Sequence, residues 1–304
     1  MIETQTITVE EEESGVRIDK YLSNSFSDVS RSRFQKMIED GFILVNGSPI
    51  KNKYEIKPGD EIYIAQQPVE LVDIMPENIP LDILYEDNDM IVVNKPKGMV
   101  VHPAPGHYTG TLVNALMFHC KDSLSGINGQ MRPGIVHRID MNTTGSLLVC
   151  KNDNAHQSIA GQIKEHSCNR IYEGIVIGNI KEDELTIDKP IGRNPQDRKK
   201  MAIVSDGREA VTHVKVLKRL GNYTYCQFRL ETGRTHQIRV HMTSIGHPLL
   251  GDDIYGPGNC KFNLQGQTLH AKTIGFVHPV SGEYMEFTAP LPEYFVKILT
   301  ILDA

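Results

Sequence analysis

The sequence predicts an α+β fold, a mixed and mostly antiparallel sheet domain behind a small N-terminal α/β domain, and three observations carry that reading. Short β-prone apolar runs are separated by turn signals, namely Asp87-Asn88-Asp89 within 81–94, Lys95-Pro96-Lys97-Gly98, and the hairpin at 279–282. Helical spacing appears only occasionally between these runs, which excludes a regular βαβ array. A compact segment, 15–64, is followed by 65–80, where Pro68, Pro76 and Pro80 interrupt a stretch of little periodicity.

In chain order, residues 1–14 contain Glu3 and Glu10 to Glu13 and are expected to form a solvated, poorly ordered acidic tail. Val16, Ile18, Tyr21, Leu22 and Phe26 recur near helical spacing, and a second helix is expected over 31–40, N-capped by Ser30 and stopped by Gly41. A strand at 42–45, the tight turn Asn46-Gly47, a turn at 57–60 and a strand at 61–64 complete the small domain. A linker is expected over 65–80 and a second domain over 81–304. Within the latter, helices are expected at 111–119, from Asp153 to about 166, after Gly233 and from Glu293. Strands are expected at 170–177, 201–204, 210–217 and 223–230.

A chain of 304 residues with 39% hydrophobic content can bury an ample core without staples. Its cysteines, Cys120, Cys150, Cys168, Cys226 and Cys260, are far apart and form no Cys-x-x-Cys pair. That spacing argues against a disulfide framework and a zinc site, and fits a reducing compartment. No apolar run approaches the roughly 20 residues that span a bilayer, and Met1-Ile2-Glu3 does not begin a signal peptide, so a cytoplasmic protein is expected. The net charge of −6 argues at first against nucleic acid, but five of the negative charges precede residue 14. Between residues 15 and 60, eight Lys/Arg face six Asp/Glu, and Arg31, Arg33 and Lys36 of the second helix are candidates for contact with an RNA backbone.

The chemistry concentrates at 134–151, where Ile135-Val136 and Leu147-Leu148-Val149 flank the polar connection 137–145. Asp140 stands two residues from Arg138 and is followed by Thr143, Thr144 and Gly145, so a carboxylate, a cation and backbone donors share one loop. Taken alone, Asp140 could equally cap a turn, and Gly145 could simply supply a positive φ. Three further elements join it: the strand segment Arg170-Ile171-Tyr172, the polar run 230–241, and the basic loop 192–200 with Arg198, Lys199 and Lys200. On a helix through 234–242, Thr235, Arg239 and Met242 would share a face, which lets Arg239 turn inward.

His137-Arg138-Ile139-Asp140 with Thr143-Thr144-Gly145 resembles the catalytic loop of the RluA-type pseudouridine synthases, usually His-Arg-Leu-Asp with Thr-Ser-Gly. The departures at Ile139, Thr144 and Ser146 spare the carboxylate. The Arg-x-Tyr strand and Thr-Gly-Arg-Thr-His-Gln-Ile-Arg-Val-His, ending at His241, match the same family, and the resemblance runs from Gly15 to about Pro290. The basic loop resembles the RluD branch, while 15–64 is similar to a small RNA-binding domain shared with a small-subunit ribosomal protein.

The resemblance implies that Asp140 is the catalytic carboxylate, Tyr172 the aromatic that contacts the base, Arg239 the carboxylate's partner and Arg138 the cation that replaces a flipped base. His137, Thr144, Arg234 and His236 are expected to contact the substrate. The implied reaction exchanges an N-glycosidic for a C-glycosidic bond without redox change, so no cofactor or metal is expected. The expected partner is structured RNA, foremost large-subunit ribosomal RNA, bound by a monomer. Two competing readings are a non-catalytic RNA-binding or ribosome-assembly protein, which would need neither a buried carboxylate nor its partner, and a hydrolase pairing Asp140 with His137 or His241.

Overall fold

The computed structural model describes residues 4–304 except 27, 28, 30, 66–73, 105, 122, 128, 130, 131, 198, 199 and 259. The chain divides into two compact units, 1–72 and 73–304.

The first unit contains β1 (Gln5–Thr8), α1 (Ile18–Ser25), α2 (Arg31–Glu39), β2 (Ile43–Val45), β3 (Ser48–Pro49) and β4 (Glu61–Ile64). Its sheet runs β1-β4-β2-β3. Along β4, exposed Glu61 and Tyr63 alternate with buried Ile62 and Ile64, as a strand covered on one face requires. Ile18 and Leu22 of α1 and Phe34 and Ile38 of α2 join those isoleucines in one core. Asn46 and Gly47 both take positive φ, the conformation that the tight hairpin demands.

The acidic tail is a correction. Gln5 to Thr8 pair with β4 in register, Val9 is buried, and the Tyr21 hydroxyl donates to Glu13 at 3.0 Å. The run Gln5-Thr6-Ile7-Thr8-Val9 is β-prone, and the edge of β4 gives it a partner. The expected Ser30 cap lies outside the described residues.

The second unit contains β5 (Ile83–Glu86), β6 (Met90–Lys95), α3 (Leu112–Cys120), β7 (Thr144–Cys150), α4 (Asp153–Lys164) and β8 (Asn169–Ile177). There follow β9 (Glu184–Asp188), β10 (Ile191–Arg193), β11 (Met201–Ile203), β12 (Val211–Leu220), β13 (Tyr223–Leu230) and α5 (Gln237–Ser244). The chain closes with β14 (Leu269–Val277), β15 (Tyr284–Thr288) and α6 (Glu293–Asp303). Among the described residues nine strands form one sheet in the order β5-β6-β7-β14-β8-β13-β12-β9, with β15 also on β14. Its pairings are antiparallel except β7 with β14.

Strand β7 is buried on both faces. Leu147 and Val149 share a core with Leu112 and Leu116 of α3, whereas Leu148 and Cys150 pack with Ala155 and Ile159 of α4. This explains its continuous apolar run. The expected strand at Ile135-Val136 is reduced to one bridge between Ile135 and Val149, because β6 holds one edge of β7 and β14 takes the start of the other. Asn152, rather than Asp153, caps α4 by accepting the Ala155 N–H at 2.9 Å. Part of the expected linker is also packed: Ile74 is buried, Asn114 Nδ2 donates to the Met75 carbonyl at 2.8 Å, and Glu77 N donates to the Asn114 carbonyl at 2.9 Å. Residues 66–73 of that stretch lie outside the described residues.

Candidate active site

The loop that carries Asp140 is held where β7 begins. Gly145 has φ +109°, and a Cβ there would lie 2.2 Å from the Ala271 carbonyl oxygen of β14, so glycine alone permits this close parallel pairing. On the opposite side of the loop, Lys95 at the end of β6 is buried, and its Nζ donates to the carbonyls of Pro96, Met99 and Met141 at 2.8, 2.8 and 3.0 Å. Burial pushes this ammonium down to about 7, while Asp140 opposes the shift. Three acceptors match the three N–H groups of the charged form. Lys95 therefore ties the residue after Asp140 to the turn after β6.

Asp140 faces a cavity of about 280 Å³, near the lower end of the roughly 300–1,000 Å³ usual for small-molecule sites. Arg138, His236, Arg239, His102 and Gln267 also line it. Arg239 Nη1 donates to Asp140 Oδ2 at 3.0 Å. The same guanidinium donates through Nε and Nη2 to Asp252 at 2.7 and 2.9 Å. Side-chain exposure is 4% for Arg239 and 0% for Asp252, so the pair lies beneath the cavity, while Asp140 at 25% reaches into it. Burial works against the charge on Arg239, but the Asp252 hydrogen bonds and the two carboxylates raise its pKa above the ordinary value. Burial likewise works against ionised Asp252, and Arg239 with the N–H groups of Tyr255 and Ile254 outweighs it, leaving the pKa lowered.

A smaller hollow of about 50 Å³, which Asp140 also lines, includes Tyr172 and Arg234. Burial raises the Tyr172 phenol, Arg170 opposes and Asp140 adds to the shift, so the hydroxyl keeps its proton near neutral pH. Arg138 is exposed and donates to Thr235 Oγ1 at 2.9 Å. His236 caps α5 with φ 56°, and its Nε2 stands 3.9 Å from Asp140 Oδ1. The helix thus begins three residues later than Arg234, which stays in the preceding loop and donates to the Glu209 carbonyl.

Residues 89–244 match the family described as RNA pseudouridylate synthase, and residues 16–62 match the S4 domain. The chain belongs to the RNA pseudouridylate synthase family. This synthase is 53% identical to "Uncharacterized RNA pseudouridine synthase YlyB" of Bacillus subtilis (strain 168), over 96% of each chain. It is 44% identical to "Ribosomal large subunit pseudouridine synthase D" of Zymomonas mobilis, over 95% of each chain. Among solved structures it resembles "Human RNA Pseudouridylate Synthase Domain Containing 1", with TM-score 0.57 and 26% identity, covering 79% of this chain and 98% of that one. It is an isomerase of the RluA type, and its S4 domain binds RNA. Among the described residues no helix is long and apolar enough to cross a membrane.

Two expected substrate contacts of the synthase are structural instead. His137 lines neither hollow; its Nε2 accepts the Leu148 N–H of β7 at 2.9 Å, and burial pushes its pKa down to about 3. Thr144 is buried and bonds His270 Nδ1 at 2.8 Å, because β7 has already begun there and its side chain enters the sheet. His241 is spent on Thr212 and the Lys189 carbonyl. A hydrolytic pairing of Asp140 with His137 or His241 is therefore not present.

In the S4 domain Arg31 is not simply a solvated cation. Asp19, fully buried, accepts Nε and Nη2 of Arg17 at 3.1 and 2.8 Å, Nε and Nη2 of Arg31 at 3.0 and 3.1 Å, and Gln35 Nε2 at 2.6 Å. Arg33 and Lys36 share α2 with Arg31, and Lys36 is paired with Asp40 at 3.3 Å. Arg198 and Lys199 lie outside the described residues; Lys200 is within them and half-buried.

Asp252, Lys95 and Tyr255 escaped the sequence reading. For Asp252 a signal existed: an inward Arg239 needs a fixed counter-charge, and Leu249-Leu250-Gly251-Asp252 delivers a carboxylate straight from the core. Lys95 ends an apolar strand, where a lysine reads as the first solvated residue.

Proposed function

We propose that this synthase converts uridines of large-subunit ribosomal RNA to pseudouridine, with Asp140 as the catalytic carboxylate, acting as a monomer in the cytoplasm. The observation that carries the reading is the Arg239 Nη1 to Asp140 Oδ2 bond of 3.0 Å at the floor of the cavity. A guanidinium fixed by Asp252 sets a positive charge and an N–H donor directly against this carboxylate and holds it in one orientation. The ribosomal substrate is supported by the name of the Zymomonas relative and by the S4 domain.

The uridine must leave its stack to reach this cavity, and exposed Arg138 is suited to take its place. Asp140 then acts on the ribose or the base as the bond from N1 to C1′ breaks. The uracil turns, C5 joins C1′, the C5 proton leaves and N1 acquires one, so atoms balance and no electrons are gained or lost. Tyr172, protonated and beside Asp140, holds the detached ring by stacking. Arg31, Arg33, Lys36 and Lys200 serve backbone contact. Mapping pseudouridines in large-subunit ribosomal RNA from cells with and without this protein tests the substrate. Loss of particular sites is expected, whereas an unchanged map would direct the search to other RNAs.

A further inference from the structure

One proton decides what His236 offers to the cavity. Met201 donates its backbone N–H to the Tyr255 oxygen at 2.8 Å, and the same oxygen lies 2.8 Å from His236 Nδ1. If His236 donated there too, the Tyr255 O–H would have no acceptor among the described residues. The arrangement that satisfies both groups within the protein has Tyr255 O–H as the donor and Nδ1 as the acceptor. Burial lowers the His236 pKa, with Asp140 opposing, which favours the neutral ring. Its single proton then sits on Nε2, the nitrogen that faces Asp140 Oδ1 at 3.9 Å, too far for a hydrogen bond between them.

The placement of the ring is over-determined. His236 holds a left-handed backbone, φ 56° and ψ 21°, which a residue with a Cβ adopts only when its surroundings require it. The Tyr255 ring meets it edge-on with centroids 5.6 Å apart, and the Arg239 guanidinium lies 5.1 Å from the centroid of the same tyrosine. One side chain thus locates the histidine and backs the cation that holds Asp140.

We propose that the neutral His236 Nε2–H donates a hydrogen bond to a carbonyl oxygen of the flipped uracil, and that Tyr255 is the positioning residue that sets this tautomer. This rests on the reading of Asp140 as the catalytic carboxylate. When the bond from N1 to C1′ breaks, its electron pair stays with the uracil, and the charge spreads from N1 to the carbonyl oxygens. A donor fixed beforehand at one of those oxygens stabilises the departing ring more than the bound uridine. The proton remains on Nε2 throughout.

The test uses the full-length protein with ¹⁵N-labelled histidine and a large-subunit ribosomal RNA transcript tritiated at uracil C5, which releases tritium to water when C5 joins the ribose. Assigned by its loss in His236→Gln, the His236 ring is expected to be protonated on Nε2 alone in the parent and in Asp140→Asn, and to become a mixture in Tyr255→Phe. His236→Ala should lower the single-turnover rate at saturating RNA by about 100-fold, with a smaller change in RNA affinity. His236→Gln, whose amide N–H can stand where Nε2–H stood, should recover most of that loss. A proton on Nδ1 in the parent, or a His236→Gln variant as slow as His236→Ala, would overturn the proposal. Turnover retained by Asp140→Asn would instead remove the carboxylate reading and leave the tautomer as measured.

Discussion

Arg239 grips Asp252 with two N–H groups, at 2.7 and 2.9 Å, and offers only Nη1 to Asp140. The cation beneath the candidate catalytic carboxylate is thus anchored from below, and its position does not depend on Asp140. This alters what substitution at 239 should do. Arg239→Met leaves Asp252 as an uncompensated charge in the core and should destabilise the fold by about 3–5 kcal/mol. Pairing it with Asp252→Leu should restore much of the stability but none of the turnover, as denaturant titration beside tritium release would show. Equal recovery of both would mean that Arg239 is structural only.

The Asp252 carboxyl also gives an acid signature. Its folded pKa lies below the unfolded value of about 3.9, so its contribution is complete above that pH and is lost as pH falls through the folded value. The stability gap between the parent and Asp252→Asn should be constant near neutrality and narrow below about pH 4. Thermal melts over that range check it. A gap that widens on acidification would contradict the pairing.

Lys95 should matter to both fold and rate. Lys95→Met strands the carbonyls of Pro96 and Met99 and leaves that of Met141, beside Asp140, with the Gly98 N–H at 3.0 Å as its remaining donor. Each buried acceptor without a partner costs about 1–3 kcal/mol, so a drop of several kcal/mol in denaturant stability is expected where water does not replace the ammonium. Turnover measured well below the melting temperature should fall as well, because the Asp140 turn then keeps only the Gly98 N–H as its tie to the segment after β6. A variant that melts early but turns over normally would limit Lys95 to the core.

Asp19 separates charge from pre-organisation. Removing a negative charge from beneath a candidate RNA-binding face should tighten binding if charge alone matters. Since Asp19 fixes both Arg17 and Arg31 through Nε and Nη2, Asp19→Asn is expected to weaken binding of the full-length protein to a structured RNA. Fluorescence anisotropy over a salt series measures this, and tighter binding at every salt concentration would contradict it.

Much of this was legible in the sequence because local chemistry agrees with tertiary demand. Asn46-Gly47 is a hairpin in the sequence and in the structure, and Gly145 stands where a backbone oxygen leaves no room for a Cβ. Helical spacing allows Arg239 to turn inward, and it is buried, although α5 begins only at Gln237 and His236 breaks the helical backbone before it. What stayed hidden depends on partners distant in sequence. Strand β1 looked like part of an acidic tail because its pairing with β4 spans more than fifty residues, and His137 looked like a ligand contact because nothing local says that it accepts from Leu148. Asp252 and Lys95 are charged residues whose burial becomes sensible only once Arg239 and three carbonyls are seen around them.

The most direct test is Asp140→Asn, which preserves shape and removes only the ionisable charge. Single-turnover tritium release from C5-labelled ribosomal RNA should fall to background, while the melting curve and the RNA dissociation constant stay close to the parent's. Turnover at a substantial fraction of the parent rate would contradict the account and move the chemistry away from Asp140.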